Sequence, residues 1–91
     1  MIERAVFIEN ELGLHARAAA KLVRLASQFE ADIKLSRADS DQSIDAKSIL
    51  GVLLLAAAKG TELRLTLEGV DEQEAADRLI ELIRSKFGEQ K

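Results

Sequence analysis

The only histidine of the chain lies in the sequence GLHARAAAKL, residues 13–22, where the neighbouring residue types point to chemistry on phosphate. Histidine commonly changes charge near neutral pH, and its neutral imidazole is a nucleophile. Arg17 follows His15 by two residues and carries a guanidinium that can hold phosphate oxygens through two parallel hydrogen bonds. Gly13 gives the backbone freedom to present the ring. This arrangement suits a histidine that accepts a phosphoryl group.

The element that must position His15 is a helix, which we predict over residues 16–28. Apolar residues recur there at the spacing of one helix face, namely at Ala19, Leu22, Val23, Ala26 and Phe29. His15 would then precede the first turn, where backbone N–H groups lack partners and the helix dipole favours anions. Arg17, Lys21 and Arg24 form a basic stripe on the opposite face.

The residues alone leave other interpretations of this segment open. A histidine near a helix start is commonly a cap or a surface residue, and the basic stripe could be a solvated helix face. The same helix N-terminus could also bind a small anionic metabolite reversibly, without covalent chemistry.

Composition excludes several classes of protein. The chain has 91 residues, 47% of them apolar and 32% charged, which is typical of one globular domain spanning residues 1–91. It has no cysteine and one histidine, so we predict neither a metal site nor a cofactor. A net charge of −3 argues against a nucleic-acid partner.

We also expect no export signal and no membrane insertion. Three glutamates within the first eleven residues interrupt the apolar core that a signal peptide needs. The longest apolar run, residues 49–58, is too short to span a bilayer, which takes about 20 residues in a helix. We therefore predict a cytoplasmic protein.

The rest of the pattern predicts strands and helices in the order βαββαβα. We place strands at residues 2–8, 32–36, 43–46 and 62–67, with a hairpin loop at 37–42. A short second helix begins after its N-cap Ser48 and ends towards Gly60. A third begins with a capping-box-like pair, Asp71 and Glu74, and its apolar face runs as far as Phe87. The predicted fold class is α/β (α+β), an open-faced β-sandwich with a four-stranded antiparallel sheet covered on one face by three helices.

Two segments, GLHARAAAKL at 13–22 and KSILGVLLLAAAKGTEL at 47–63, closely resemble the HPr family, the histidine phosphocarriers of the bacterial phosphoenolpyruvate-dependent phosphotransferase system. The resemblance covers nearly the whole chain and implies the same open-faced β-sandwich. It implies that Nδ1 of His15 takes a phosphoryl group from enzyme I and passes it to an enzyme IIA domain in sugar uptake. Arg17 would help to hold that group. The protein would be a carrier and not an independent enzyme, since no second acid–base group lies near His15 in the sequence.

The resemblance also assigns roles to the second helix. Ser48 matches a serine that HPr kinase/phosphorylase modifies in many Gram-positive members, although a simple N-cap is the alternative. Ile49 and Leu50, with Leu53 less closely, match an exposed apolar patch that docks partners, whereas we expect Val52 and Leu54 in the core. We also predict that Arg24 of the basic stripe contacts partners. An exposed docking face fits a monomer.

Other features of the sequence leave its branch and its exact role open. Ala18 stands where the family usually has proline, which predicts a looser first turn beside His15. The loop length and the SKFGE ending favour the nitrogen-regulatory branch, whereas KSILGV favours the sugar branch, which we rank first. A further alternative is an HPr-like module that docks partners without carrying phosphate.

Overall fold

The computed structural model describes residues 1–91 and shows the predicted order of elements. These are β1 (Ile2–Phe7), α1 (Ala16–Ala26), β2 (Asp32–Arg37), β3 (Ser43–Asp45), α2 (Ile49–Leu54), β4 (Glu62–Glu68) and α3 (Glu72–Arg84), followed by one short 3-10 turn at Lys86–Gly88. None of the three α-helices has the length and apolar character needed to cross a membrane.

The four strands form one antiparallel sheet in the order β1-β4-β2-β3. Side-chain burial alternates along the inner strand β4. Leu63, Leu65 and Leu67 are buried, whereas Arg64 and Glu68 are exposed. A period of two places every second side chain on the same sheet face. One face is therefore apolar and covered, which confirms the predicted open-faced β-sandwich.

The covered face of the sheet and the helices share one hydrophobic core of 23 buried residues. Helix α1 contributes Ala18, Ala19, Leu22 and Ala26, and helix α3 contributes Ala75, Ala76, Leu79 and Ile83. Each set recurs at the three- and four-residue spacing of a single helix face. Small alanines on both helices allow the backbones to pack closely.

Gly13 fixes the loop that leads into α1. Its φ is +67°, and a Cβ at this position would lie 2.6 Å from the carbonyl oxygen of Ala57. The next residue, Leu14, donates its backbone N–H to that same oxygen at 2.8 Å. Only glycine combines this conformation with so close an approach. The loop before His15 is thereby attached to the segment that follows α2.

Several element boundaries differ from the prediction. Helix α1 ends at Ala26 instead of residue 28, β1 and β3 are each one residue shorter, and Arg37 extends β2, so the hairpin loop is residues 38–42. Helix α2 ends at Leu54, well before Gly60, because Ala56 takes a left-handed conformation with φ of +50°. Such a residue cannot continue a right-handed helix.

The predicted capping box at the start of α3 is wrong. Asp71 is the N-cap residue, but its carboxylate caps nothing in α3 and instead accepts the backbone N–H groups of Glu30 and Ala31 at 2.8 and 2.9 Å. These bonds, the Glu30 N–H first, hold the pKa of Asp71 below its usual range. Glu72 accepts the Gly69 N–H at 3.0 Å. The side chain of Asp71 thus joins α3 to the segment before β2.

The end of α3 also differs from the prediction. Phe87 is fully buried as expected, but α3 ends at Arg84, and Phe87 lies in the following turn and not on the helix face. Lys86, Phe87 and Gly88 have φ of +60°, +56° and +78°. Three consecutive left-handed residues reverse the chain and direct its last residues back towards the loop before α1.

Candidate functional site

His15 is the N-cap residue of α1. Its backbone is extended, with φ of −78° and ψ of −178°, and its carbonyl accepts the first helical hydrogen bond from Ala19 at 2.8 Å. The backbone N–H groups of Ala16, Arg17 and Ala18 have no hydrogen-bond partner. The imidazole is 27% exposed. His15 therefore has a half-buried but accessible imidazole, and it directly precedes three backbone N–H groups without partners at the positive end of α1.

The imidazole contacts one carboxylate, that of Glu89. The distance from Nε2 of His15 to Oε2 of Glu89 is 2.5 Å. The other oxygen of Glu89 accepts a hydrogen bond of 2.9 Å from Nδ2 of Asn10, which also donates to the carbonyl of Gly13 at 2.8 Å. The bond from His15, and next the bond from Asn10, lower the pKa of Glu89. Glu89 is therefore ionised at neutral pH. Because the contact uses Nε2, Nδ1 of His15 has no hydrogen-bond partner in the protein.

The three residues of the basic stripe have different surroundings. Arg17 and Arg24 are exposed, and neither forms an ion pair or donates a side-chain hydrogen bond. Arg17 lines the same open surface depression as His15 and Glu89. Lys21 is half-buried and donates to the carbonyl of Phe87 at 2.7 Å. Two guanidinium groups are thus free for a ligand or partner, whereas Lys21 holds the C-terminal turn.

Ser48 precedes α2 and caps it. Its hydroxyl accepts the backbone N–H of Gly51 at 3.2 Å, and its carbonyl accepts the N–H of Val52 at 3.0 Å. The residue is half-buried. The side chain therefore satisfies one of the N–H groups that the start of a short helix would otherwise leave free.

One face of α2 is apolar and exposed. Ile49, Leu50 and Leu53 are 40%, 71% and 38% exposed. Leu54 is 80% exposed, so its predicted place in the core is wrong, whereas Val52 is fully buried as expected. Residues four apart share a helix face, which places Leu54 beside Leu50 and away from the core. We call Ile49, Leu50, Leu53 and Leu54 the α2 patch.

A family model described as "PTS HPr component phosphorylation site" matches residues 2–85. The chain belongs to the HPr family. This confirms the predicted resemblance to the histidine phosphocarriers of the phosphotransferase system.

Relatives and solved structures agree with this assignment over almost the full chain. The phosphocarrier protein HPr of Cupriavidus necator is 51% identical over 89 residues, which cover 98% of each chain. The crystal structure of HPr-C-His from Thermoanaerobacter tengcongensis matches with a TM-score of 0.94 and 42% identity, covering 100% of both chains. A crystal structure of an HPr dimer from the same organism matches with a TM-score of 0.74 and 43% identity, covering 98% of this chain and 100% of that one. HPr structures thus include a dimer.

The sequence analysis missed three residues near the site, namely Glu89, Asn10 and the exposed Leu12. Glu89 is separated from His15 by 74 positions, and Asn10 and Glu89 by 79. No local pattern connects residues so far apart. Gly88, which follows an amphipathic helix, was the one sign that the chain could turn back there. Leu12 is 70% exposed in the depression beside His15, and a single apolar residue in a polar loop gives no periodic signal.

Proposed function

We propose that this protein carries a phosphoryl group on Nδ1 of His15, which it accepts from phosphorylated enzyme I and passes to an enzyme IIA domain. The observation that carries the proposal is the position of His15. Its accessible imidazole is at the N-cap of α1, followed by three backbone N–H groups without partners. Free N–H groups at a helix start favour an anion. The nucleophile and the donors for the new oxygens thus belong to one short segment.

The transfer makes and breaks one bond to phosphorus in each direction. The lone pair of Nδ1 attacks phosphorus while the bond from phosphorus to the donor breaks, and the same bond to Nδ1 breaks when the acceptor attacks. Negative charge on the three non-bridging oxygens is stabilised by donors already in place. The unpaired guanidinium of Arg17 and the free N–H groups at the start of α1 supply those donors. Because the depression is open, the phosphoryl group stays within reach of the next protein.

The α2 patch supports docking to protein partners. Leu50 and Leu54 are more than two-thirds exposed, and a contiguous apolar surface of this kind marks interaction sites. The Leu14 N–H bond to Ala57 fixes the segment after α2 to the loop before His15. Helices α1 and α2 also contact each other, so we expect a partner that covers the α2 patch to reach the imidazole at the start of α1. Arg24, exposed and unpaired, would contact acidic groups of such a partner.

Ser48 can also be a regulatory site. As the N-cap of α2 it already has a structural role, which explains a serine here without a kinase. Modification by HPr kinase/phosphorylase would add about two negative charges next to the apolar α2 patch. A helix N-terminus tolerates that charge, but an apolar partner surface does not. We propose that phosphorylation here, where a kinase is present, would weaken docking.

Two features of the sequence keep the nitrogen-regulatory branch as a second candidate. The length of the hairpin segment RADSDQ, predicted at 37–42, and the SKFGE ending favour it, whereas the KSILGV segment favours sugar uptake. A panel of purified IIA domains from both branches, offered to the phosphorylated protein in equal amounts, distinguishes them. We expect the sugar-branch domain to be labelled first. Faster transfer to the nitrogen-branch domain would reverse the ranking.

The decisive experiment is intact mass spectrometry after incubation with phosphoenolpyruvate and active enzyme I. We expect one added phosphate that is acid-labile and absent from the His15→Ala variant. An Arg17→Ala variant, which keeps the nucleophile, should be labelled more slowly. No added mass on the parent protein, with an enzyme I that labels another HPr in the same mixture, would favour a module that only docks partners. The same samples, analysed by analytical ultracentrifugation, test the predicted monomer.

A further inference from the structure

Glu89 makes the only side-chain hydrogen bond to the imidazole of His15. Because its carboxylate is ionised, it can accept hydrogen bonds but cannot donate them. The nitrogen that it contacts, Nε2, must then carry the proton. In a neutral imidazole one nitrogen is protonated and the other holds a lone pair, so Nδ1 is the nucleophilic atom.

We infer that Glu89 is a positioning residue for phosphoryl transfer, which fixes His15 as the Nε2–H tautomer and keeps Nδ1 free to take the phosphoryl group. The inference rests on the proposed function and names the residue that prepares the acceptor atom. The family match ends at residue 85, so Glu89 lies beyond the segment that the match covers.

The surroundings of Glu89 hold its carboxylate in place from several directions. Asn10 is fully buried, and its Nδ2 bridges the second oxygen of Glu89 and the carbonyl of Gly13. The turn before Glu89 consists of residues in the left-handed conformation, which residues other than glycine rarely adopt. Phe87 buries its ring completely, and Lys21 of α1 donates to its carbonyl at 2.7 Å, so α1 itself anchors the turn.

A second anchor lies beyond Glu89. The backbone N–H of Glu11 donates to the carbonyl of Lys91 at 3.0 Å, which attaches the last residue to the loop before α1. Glu89 therefore lies between two segments that are hydrogen-bonded to the rest of the protein, the turn at Phe87 and the residue Lys91. The side chain of Glu89 is only 15% exposed, less than the imidazole it contacts.

The contact with Glu89 also fits the charge changes of the transfer. When the bond from Nδ1 to phosphorus forms and the bond to the donor breaks, the proton on Nε2 stays in place and the ring becomes positively charged. The negative carboxylate beside Nε2 balances this charge. When the acceptor takes the phosphoryl group, the ring returns to its neutral form with the same proton on Nε2. No proton needs to leave or enter the ring in either direction.

Two variants of Glu89 and one control test this inference. Glu89→Gln keeps the size of the side chain and removes its charge, and Glu89→Ala removes the contact. Glu11→Gln is the matched control, because Glu11 is an exposed carboxylate that lines the same depression but forms no hydrogen bond with the imidazole. Thermal unfolding and amide NMR spectra of all three establish that they are folded. If Glu89→Ala is not folded, Glu89→Gln carries the test.

The first measurement is the ¹⁵N NMR spectrum of the imidazole at a pH where the ring is neutral. We expect one protonated Nε2 and one bare Nδ1 in the parent protein and in Glu11→Gln, and a mixture of tautomers in Glu89→Ala. A purely structural role would not change the tautomer. The second measurement is the single-turnover rate of phosphorylation by enzyme I and phosphoenolpyruvate. Loss of a charge-assisted hydrogen bond should slow Glu89→Ala by at least about tenfold, with a smaller decrease in Glu89→Gln.

The outcomes separate this inference from the proposed function. If the parent protein takes no phosphate, like His15→Ala, the proposed function fails, and the inference fails with it. If the parent is labelled and Glu89→Ala is labelled at the same rate, the inference alone is refuted. It is refuted equally if the rate falls while the tautomer is unchanged, since Glu89 would then act in another way. A changed tautomer together with a slower rate supports it.

Discussion

Replacing Gly13 by alanine should destabilise the protein by two effects that the structure separates. The first is the left-handed conformation, with φ of +67°, which costs an L-residue about 1–2 kcal/mol. The second is the contact of the new Cβ with the carbonyl oxygen of Ala57 at 2.6 Å. Relief of this contact would move the backbone and weaken the hydrogen bond from the Leu14 N–H to the same oxygen, which contributes about 0.5–1.5 kcal/mol to stability. We expect a total loss of about 1.5–3.5 kcal/mol in the free energy of unfolding.

The assay is urea and thermal unfolding, followed by circular dichroism, with Gly60→Ala as the matched control. Gly60 also has a positive φ, +91°, but a Cβ there would meet no atom within 4 Å. The control should lose only the conformational part, about 1–2 kcal/mol. For a domain of this size Gly13→Ala should lower the melting temperature by roughly 10–20 °C. Equal losses for the two variants would refute the argument, because the approach of Ala57 would then contribute nothing.

Three further predictions concern other parts of the fold. Since backbone N–H groups hold the pKa of Asp71 down, its ionised form stabilises the protein at neutral pH, and this contribution is lost as pH falls through the acid range. Chemical denaturation from pH 7 to pH 2 should therefore show a free energy of unfolding that depends less steeply on pH in Asp71→Asn than in the parent protein. Parallel curves for the two proteins would contradict the assignment. Ser48→Ala should cost about 0.5–2 kcal/mol of unfolding free energy, whereas Ser48→Asp, which can still cap α2, should lose less; an equal loss would mean that the Gly51 bond contributes little. Leu54→Ala should leave the free energy of unfolding nearly unchanged and should weaken binding to enzyme I, measured by calorimetry. Val52→Ala should lower the free energy of unfolding, because Val52 is buried. The reverse result would mean that Leu54 packs in the core.

Local patterns in the sequence were enough for most of the fold. The alternation in residues 62–67 predicted the central strand, because strand side chains face opposite sides of a sheet at every step. The apolar spacing from Ala19 to Ala26 predicted the buried face of α1, and with it the position of His15 at a helix start. The two segments at 13–22 and 47–63 were sufficient to indicate the family.

Helix α2 shows where local patterns stop being informative. Five of its six residues are apolar, so it has no polar face that would tell which side meets the core. Packing against the rest of the protein decides this, and it buries Val52 while it exposes Leu54. The same limit applies to Asp71, whose type and position predict a cap, but whose carboxylate finds two closer donors in a segment forty residues earlier.

The candidate site divides along the same line. The sequence by itself determined the candidate nucleophile, the neighbouring guanidinium and the helix that follows them, since all of these lie within one short segment. Only the tertiary structure decided which nitrogen of His15 is held, because the carboxylate that holds it lies 74 positions away. That contact depends on a left-handed turn, a buried Phe87 and a lysine of α1 acting together. Chain reversal and burial are properties of the whole fold, and no periodicity in the last residues encodes them.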